Sequence, residues 1–454
     1  MHRWSITKWL FLIFLLSLTL RLLLFFFLLY GNPQGFYLDD SSQYWYLAKN
    51  LAESGIYSFS AEEPFWLNTT RTPLYPLFIA GFMSVGLGTA TVVLLQLLLS
   101  SLTVVLVAYL LFKISGGLAA AIIAGFVLAL DIYSISFANF LMAETLFTFL
   151  LTASIALLVS YKDFKRPVRA FVYSAVLMGL AILCKPIVLY LPLLLGLAII
   201  LISYKNFKTN LLHAGVFLVV CLIVIAPWFI RNNVVTGKFY FTTLGSQNLY
   251  LYRATDVYSR VNNLPFAEAQ NILLKEAIDS FPGDHEDQPI EFNIYMRKQA
   301  LDIIKAHPLT YLRNKTKYAA FLMFKPSASY LEVQMKSRFK YYPILYPDLS
   351  DIQEIWRFKL QNWDRTTLAL VLYQFLMLIL IWFGFIFGII YLLRTKKYFL
   401  LVIVLLTIGY FLVIAGGPEA DARIRMPFMP IIVLMSSLGA AYLLKLRRSS
   451  KKPG

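Results

Sequence analysis

Long apolar runs separated by short polar stretches dominate the chain. The first extends from Trp9 to Tyr30. Others occupy 72–88, 90–112, 116–138, 143–160, 169–184, 186–203, 211–229, 367–393, 398–415 and 427–444. Such runs predict membrane-spanning α-helices, because about 20 residues at ~1.5 Å rise cover a hydrocarbon core of about 30 Å. Two stretches break the pattern. Residues 31–89 open polar and then place Tyr44, Leu47, Ala48 and Leu51 at helical spacing, which predicts an amphipathic helix beside the membrane. Residues 231–366 carry helical apolar spacing over 266–281, 291–306, 309–324 and 350–362, interrupted by Pro282-Gly283, Pro308 and Pro326. They predict a small external helical domain.

Composition agrees with a membrane chain. Of 454 residues, 59% are hydrophobic and 14% charged, against about 25% charged in soluble proteins. Too few charges remain to coat a soluble surface, which excludes a cytosolic enzyme and a DNA-binding protein. The net charge of +17 does not point to nucleic acid, because most basic residues sit in short clusters between apolar runs. Cys184 and Cys221 lie in or beside such runs and form no disulfide framework; four scattered histidines give no metal site. No small-x-small cleavage site follows the first run, so a retained span is expected rather than a signal peptide.

The clusters at 162–169, 205–208, 394–397 and 445–452 belong inside by the positive-inside rule. Counting spans from there puts 416–426, 230–366, the Lys185 turn, 138–143 and 31–89 outside. The run 72–88 then cannot make a net crossing. It is short, begins beside Pro73 and Pro76, and contains three glycines. The expectation is an all-α polytopic protein of about ten spans with both termini cytoplasmic, outer-face juxtamembrane helices, and three regions: 1–230, 231–366 and 367–454.

Polar groups near apolar runs need a reason, because a charge at mid-bilayer costs about 2.5–3.5 kcal/mol on insertion scales. On the expected outer face they form one set. Asp39 and Asp40 follow the first span, where they could also cap a helix starting at Ser41 or Ser42. Glu144 opens a span, where the helix dipole alone would favour it. Asp131 near the outer end of its run reads as a cap. Arg71, Lys185, Arg231, Arg423 and Arg425 stand beside outer span ends, where the positive-inside rule expects few cations. Each alone could snorkel to headgroups; five together suggest an anion site such as a phosphate. Arg21 falls midway along the first span, facing a carboxylate or a ligand phosphate. Outer carboxylates, outer cations and apolar walls suit a lipid-phosphate substrate.

The ordered motifs resemble a known family. They comprise Asp39-Asp40-Ser-Ser-Gln-Tyr44 with Ala48, Leu51 and Gly55-Ile-Tyr57, then Arg71-Thr-Pro-Leu-Tyr-Pro76, Ala143-Glu144, Lys185-Pro186, Pro227-Trp228-Phe-Ile-Arg231-Asn232 and Arg423-Ile-Arg425-Met-Pro427. This set is similar to the GT-C class of membrane glycosyltransferases, in particular the branch of protein O-mannosyltransferases and the lipid A aminoarabinose transferase. The resemblance implies that an acidic residue of the first outer loop, Asp40 or its neighbour Asp39, is the catalytic base. It makes Glu144 the second acidic position, Arg71 a contact to the lipid phosphate, and Arg231 the outer arginine of the Pro-Trp segment. Some relatives use a divalent metal and others do not; here Asp40 and Glu144 would hold it.

The implied reaction moves a sugar from a polyprenyl-phosphate donor to a hydroxyl of a glycolipid, glycan or protein. It would proceed with inversion, in a bacterial inner membrane, on the periplasmic side. The rival class is a transporter or lipid-linked sugar flippase, for which Arg21 and the outer carboxylates would serve ion coupling. Against it, the two halves show no inverted repeat.

Overall fold

A computed structural model of the chain describes residues 2–38, 40–63, 65–66, 68–201, 206–325, 330–331, 334–335, 365–418 and 422–449. The apolar runs become helices because their backbone polar groups have no other partner in hydrocarbon. Seven helices or helical stretches are long and apolar enough to cross a membrane. They are α1 (His2–Gly31), α4 (Thr89–Ser115), α8 (Pro167–Cys184), α10 (Phe207–Thr236), α16 (Arg365–Arg394), α17 (Tyr398–Ala415) and the stretch Ala422–Arg447. That last stretch is built from α18 (Ala422–Arg425) and α19 (Met429–Ser449).

A bent pair of helices passes the same test together. α5 (Leu118–Ala129) and α6 (Ile132–Ala138) bend by 56° where Asp131 caps α6, accepting a hydrogen bond from the Ser134 backbone N–H at 3.0 Å. α7 (Glu144–Val159) and Pro186–Leu201, which ends in α9 (Leu191–Leu201), are shorter apolar helices. Together these ten segments fall where the hydropathy pattern places ten spans. α3 (Leu74–Met83) has 10 residues, about 15 Å of helix, too short to cross, in keeping with the charge-parity count. The protein is a multi-pass integral membrane protein; outward-facing Leu23, Ile223 and Leu372 are exposed as lipid-facing residues are.

The long helices give the bundle two chemically different ends. At one, Lys113 pairs with Asp163 at 2.7 Å, the Lys397 ammonium donates to the Ile114 carbonyl, and the Tyr161 and Phe399 rings meet at 5.7 Å. The basic turns that close α4, α7 and α16 thus sit together. α7 and α8 run from there to the other end, which gathers Glu144, Lys185, the loop before α2 (Ser41–Ser54) and α18.

Between α10 and α16 lie α11 (Leu244–Asn248), a π-helical turn at Leu249–Ala254, α12 (Thr255–Asn262), α13 (Phe266–Ser280), α14 (Pro289–Ala306) and α15 (Pro308–Phe324). Their own core includes Tyr250, Leu273, Phe292 and Met296. Buried Asp256 fastens α12 to α15, accepting from Tyr318 at 2.8 Å and Asn314 at 2.6 Å. Three of the four segments expected here coincide with α13, α14 and α15; 350–362 lies outside the described residues.

α16 and α19 approach through glycines. A Cβ on Gly439 would stand 2.0 Å from the Gly384 carbonyl oxygen, and one on Gly388 would stand 2.1 Å from that of Met435. Small residues of this kind let membrane helices touch backbone to backbone. Gly439→Ala and Gly388→Ala are therefore expected to lower the unfolding midpoint in detergent, at about 1–3 kcal/mol each. Gly215→Ala, where a methyl meets open space, should leave it unchanged or raise it; tryptophan fluorescence against temperature reads all three.

Candidate active site

The site is built at helix ends. Asp40 immediately precedes α2, yet its carboxylate makes no cap bond to that helix. It turns away and takes one guanidinium on each oxygen. Oδ1 accepts from Arg71 Nη2 at 2.6 Å, and Oδ2 from Arg423 Nη2 at 2.5 Å. Arg423 reaches onward, its Nε donating to Glu144 Oε1. The same oxygen accepts from Lys185 Nζ at 2.7 Å. Arg71, Asp40, Arg423, Glu144 and Lys185 thus form one chain of ion pairs, with three cations against two carboxylates.

Local folding explains each placement. Glu144 is the first residue of α7, where free N–H groups and the dipole favour an anion. Lys185 caps the C-terminal end of α8, because Pro186 cannot continue that helix. Arg71 stands in a turn made by Asn68, whose Oδ1 accepts the N–H groups of Thr70 at 2.8 Å and Arg71 at 3.1 Å. Its Nε donates to Gln43 Oε1 at 2.8 Å, and its guanidinium lies 5.2 Å from the centre of the Tyr44 ring. The Tyr57 hydroxyl donates to the Thr72 carbonyl at 3.0 Å, and the Thr72 hydroxyl to the Cys184 carbonyl at 3.1 Å. The first bond ties Tyr57 to the Arg71 turn, and the second holds that turn against the Lys185 turn. From the other side, the Thr243 N–H donates to the Thr69 carbonyl at 3.0 Å and the Thr242 hydroxyl to that of Thr70 at 2.6 Å.

The cluster has a closed and an open side. The Glu144 side chain is 0% exposed, whereas those of Asp40 and Arg423 are each 22% exposed. Burial alone would raise the Asp40 carboxyl; Arg423 and then Arg71 outweigh it and hold the group well below the ordinary carboxylate range. Burial pushes the Lys185 ammonium down, and Glu144 offsets only part of that.

Three of the cations expected to hold phosphate lie elsewhere. Arg231 is one layer back, its guanidinium 5.0 Å from the Trp228 ring centre and 5.4 Å from that of Tyr57, with Nη1 donating to Asn232 at 3.0 Å. Arg425 donates to the carbonyls of Leu322, Met323 and Lys325 at 2.9–3.0 Å, capping the C-terminal end of α15. Arg21 is fully buried among Ser17, Ser100 and Ser134, its nitrogens donating at 2.7–2.8 Å to the three hydroxyls. Asp39 lies outside the described residues. Gln43 and Thr72 stand inside the quoted motifs without a role of their own, and Asn68 lies outside them, because what these residues hold is another residue's backbone or side chain.

A divalent ion shared by Asp40 and Glu144 does not fit these residues. Arg423 stands between the two carboxylates, Glu144 Oε1 already carries two cations, and the cluster has positive charge to spare. Among the described residues, no group of three or more His, Cys, Asp or Glu side chains is arranged to hold a metal.

Residues 70–230 match the family described as dolichyl-phosphate-mannose-protein mannosyltransferase. No curated protein matches the sequence. The fold overlaps the archaeal oligosaccharyltransferase AglB from Archaeoglobus fulgidus, solved with an inhibitory peptide and a dolichol-phosphate. The TM-score is 0.54 at 16% identity, over 99% of this chain and 52% of that one. The apo form of the A. fulgidus oligosaccharyltransferase gives a TM-score of 0.53 at 15% identity, over 98% and 52%. ArnT from Cupriavidus metallidurans, bound to undecaprenyl phosphate, gives 0.43 at 16% identity, over 98% and 81%. This chain spans about half the length of the oligosaccharyltransferase. It shares the fold of the A. fulgidus oligosaccharyltransferase over nearly its whole length, and it matches the mannosyltransferase family model over residues 70–230.

Proposed function

We propose that the protein is an inverting glycosyltransferase. It moves one sugar from a polyprenyl-phosphate donor to an acceptor hydroxyl at the outer, periplasmic face of a bacterial inner membrane, with both termini cytoplasmic. The observation that carries this reading is the pairing of Asp40 with two arginines on the accessible side of the cluster. A carboxylate can take a hydroxyl proton, and guanidinia suit a phosphate, on which they make paired hydrogen bonds. The family match of residues 70–230 supports the same donor class.

The chemistry needs little else. The acceptor oxygen attacks the anomeric carbon while Asp40 takes its proton. The leaving group is a phosphate whose second pKa is about 6, so it departs as an anion and needs no general acid. The cations stabilise the charge that develops on it. A single displacement inverts the anomeric carbon. In the segment 231–366, the turn that follows α10 carries Thr242 and Thr243 against the Arg71 turn, which supports a role for the segment in presenting the acceptor, whether glycolipid, glycan or protein. An ion-coupled carrier would instead need Arg21 on a transport path, whereas its guanidinium is satisfied by serine hydroxyls.

Two outcomes test this. Purified wild type, given labelled polyprenyl-phosphate sugars and membrane extract, should transfer sugar, and Asp40→Asn should lower kcat by about 10²–10⁴-fold. Wild type inert with every donor but moving lipid across reconstituted vesicles would sink the enzyme in favour of the carrier. Arg71→Gln should lower donor kcat/KM by about 10- to 100-fold, the worth of a charged hydrogen bond. Arg425→Gln, which uncaps α15, should lower the unfolding midpoint and leave the donor KM in place.

A further inference from the structure

Both oxygens of Asp40 are occupied, and by the two cations that a phosphate on the accessible side would need. The base and the donor therefore compete for the same guanidinia. Arg423 is held at two different edges: its Nε on fully buried Glu144, its Nη2 on Asp40. Glu144 in turn is held by Lys185. Glu144 is thus the sealed anchor of the network, whereas Asp40 and Arg423, each 22% exposed, can meet an incoming group.

We propose that Arg71 and Arg423 are exchanged between Asp40 and the donor phosphate during transfer. In this scheme Glu144 and Lys185 are positioning residues that hold Arg423 by its Nε while its outer nitrogen changes partner. The proposal rests on the transferase reading and adds the order of charge movement to it. As the acceptor oxygen bonds to the anomeric carbon, its proton goes to Asp40 and removes that negative charge. As the bond from anomeric carbon to phosphate oxygen breaks, its electron pair stays on the phosphate, which gains one negative charge. The anion disappears on one side of the arginines and appears on the other. The cations follow it over a short distance, so no uncompensated charge is left in a site where it would be costly.

Competition has a consequence that a purely structural Asp40 would not show. A carboxylate that holds the phosphate's cations reduces the fraction of protein ready to bind, and its removal restores that fraction. Binding of undecaprenyl phosphate to detergent-purified protein is the measurement. Asp40→Asn should bind it about tenfold more tightly than wild type, although inert in transfer. Glu144→Gln should bind it several-fold more weakly, because Arg423 loses its anchor. The opposite signs distinguish exchange from loss of structure, which would weaken both. Asp40→Asn binding no tighter than wild type, beside a wild type that binds and transfers, overturns the exchange alone. A wild type that binds no undecaprenyl phosphate overturns the transferase reading and the exchange with it.

Discussion

Arg423 is the residue on which the site depends. A lone charge taken out of water is expensive, and a buried pair is stable only when each member's remaining bonds are satisfied. Glu144 has no exposure at all, so it needs cations that approach from within the fold. Lys185 supplies one from the end of α8, and Arg423 supplies the other from the beginning of the final helical stretch. Because Arg423 also reaches Asp40, the loop before α2, the start of α7, the end of α8 and the short helix α18 are tied at one point. Residues 40 and 423, at opposite ends of the chain, thus become neighbours.

The helix termini share the electrostatic work. Glu144 is the first residue of α7, so its carboxylate lies near the positive end of the dipole; Oε1 takes both cations, and the buried Oε2 has no hydrogen-bond partner. Lys185 sits where α8 ends, at the negative end of its dipole. Proline sets that position, since Pro186 ends α8 at Cys184 and leaves Lys185 as its cap. The Arg71 turn is then fastened to the Lys185 turn by a single threonine hydroxyl, Thr72 on the Cys184 carbonyl. The geometry of the cations is therefore fixed largely by backbone, which suits groups that must receive a charge in a defined place.

Much of this was legible before any coordinates. Helical membrane segments announce themselves through apolar length, and charge parity singled out 72–88 as the run that could not cross; α3 has only 10 residues. Asp40, Glu144, Arg71, Lys185 and Arg423 stand out in the sequence because polar residues beside spans need a reason. The same rule also selected Arg21, Arg231 and Arg425, and sequence could not sort them. An arginine that ends on three carbonyls of a distant helix, as Arg425 does on α15, looks in sequence like one aimed at a ligand. The difference lies in contacts about a hundred residues away. Likewise Arg21 suggested a carboxylate or phosphate partner, but serine hydroxyls from three helices satisfy it, and serines are too common in such helices to signal that role.

The asymmetry between the two carboxylates carries the proposed mechanism. A base must meet the acceptor hydroxyl, so it has to be reached from outside; an anchor gains from being sealed, because its ion pairs are then unscreened. Asp40 is accessible and Glu144 is not. If the two exchanged environments, the accessible carboxylate would carry Lys185 and the buried one could not receive a proton from substrate. The surplus cation has a reason in the same terms. With two carboxylates against three cations the cluster is positive before any substrate enters, which favours an anion. The donor's phosphodiester brings one negative charge and neutralises the cluster; once the phosphate has left with a second charge and Asp40 has become neutral, the three cations face Glu144 and the phosphate, and the sum is again zero. The sum is unchanged by the step; what changes is where the negative charge lies, and in the proposed exchange cations that leave Asp40 for the phosphate as that charge moves bind the departing group more strongly than the bound donor, which is the condition for speeding the transfer rather than only tightening the donor.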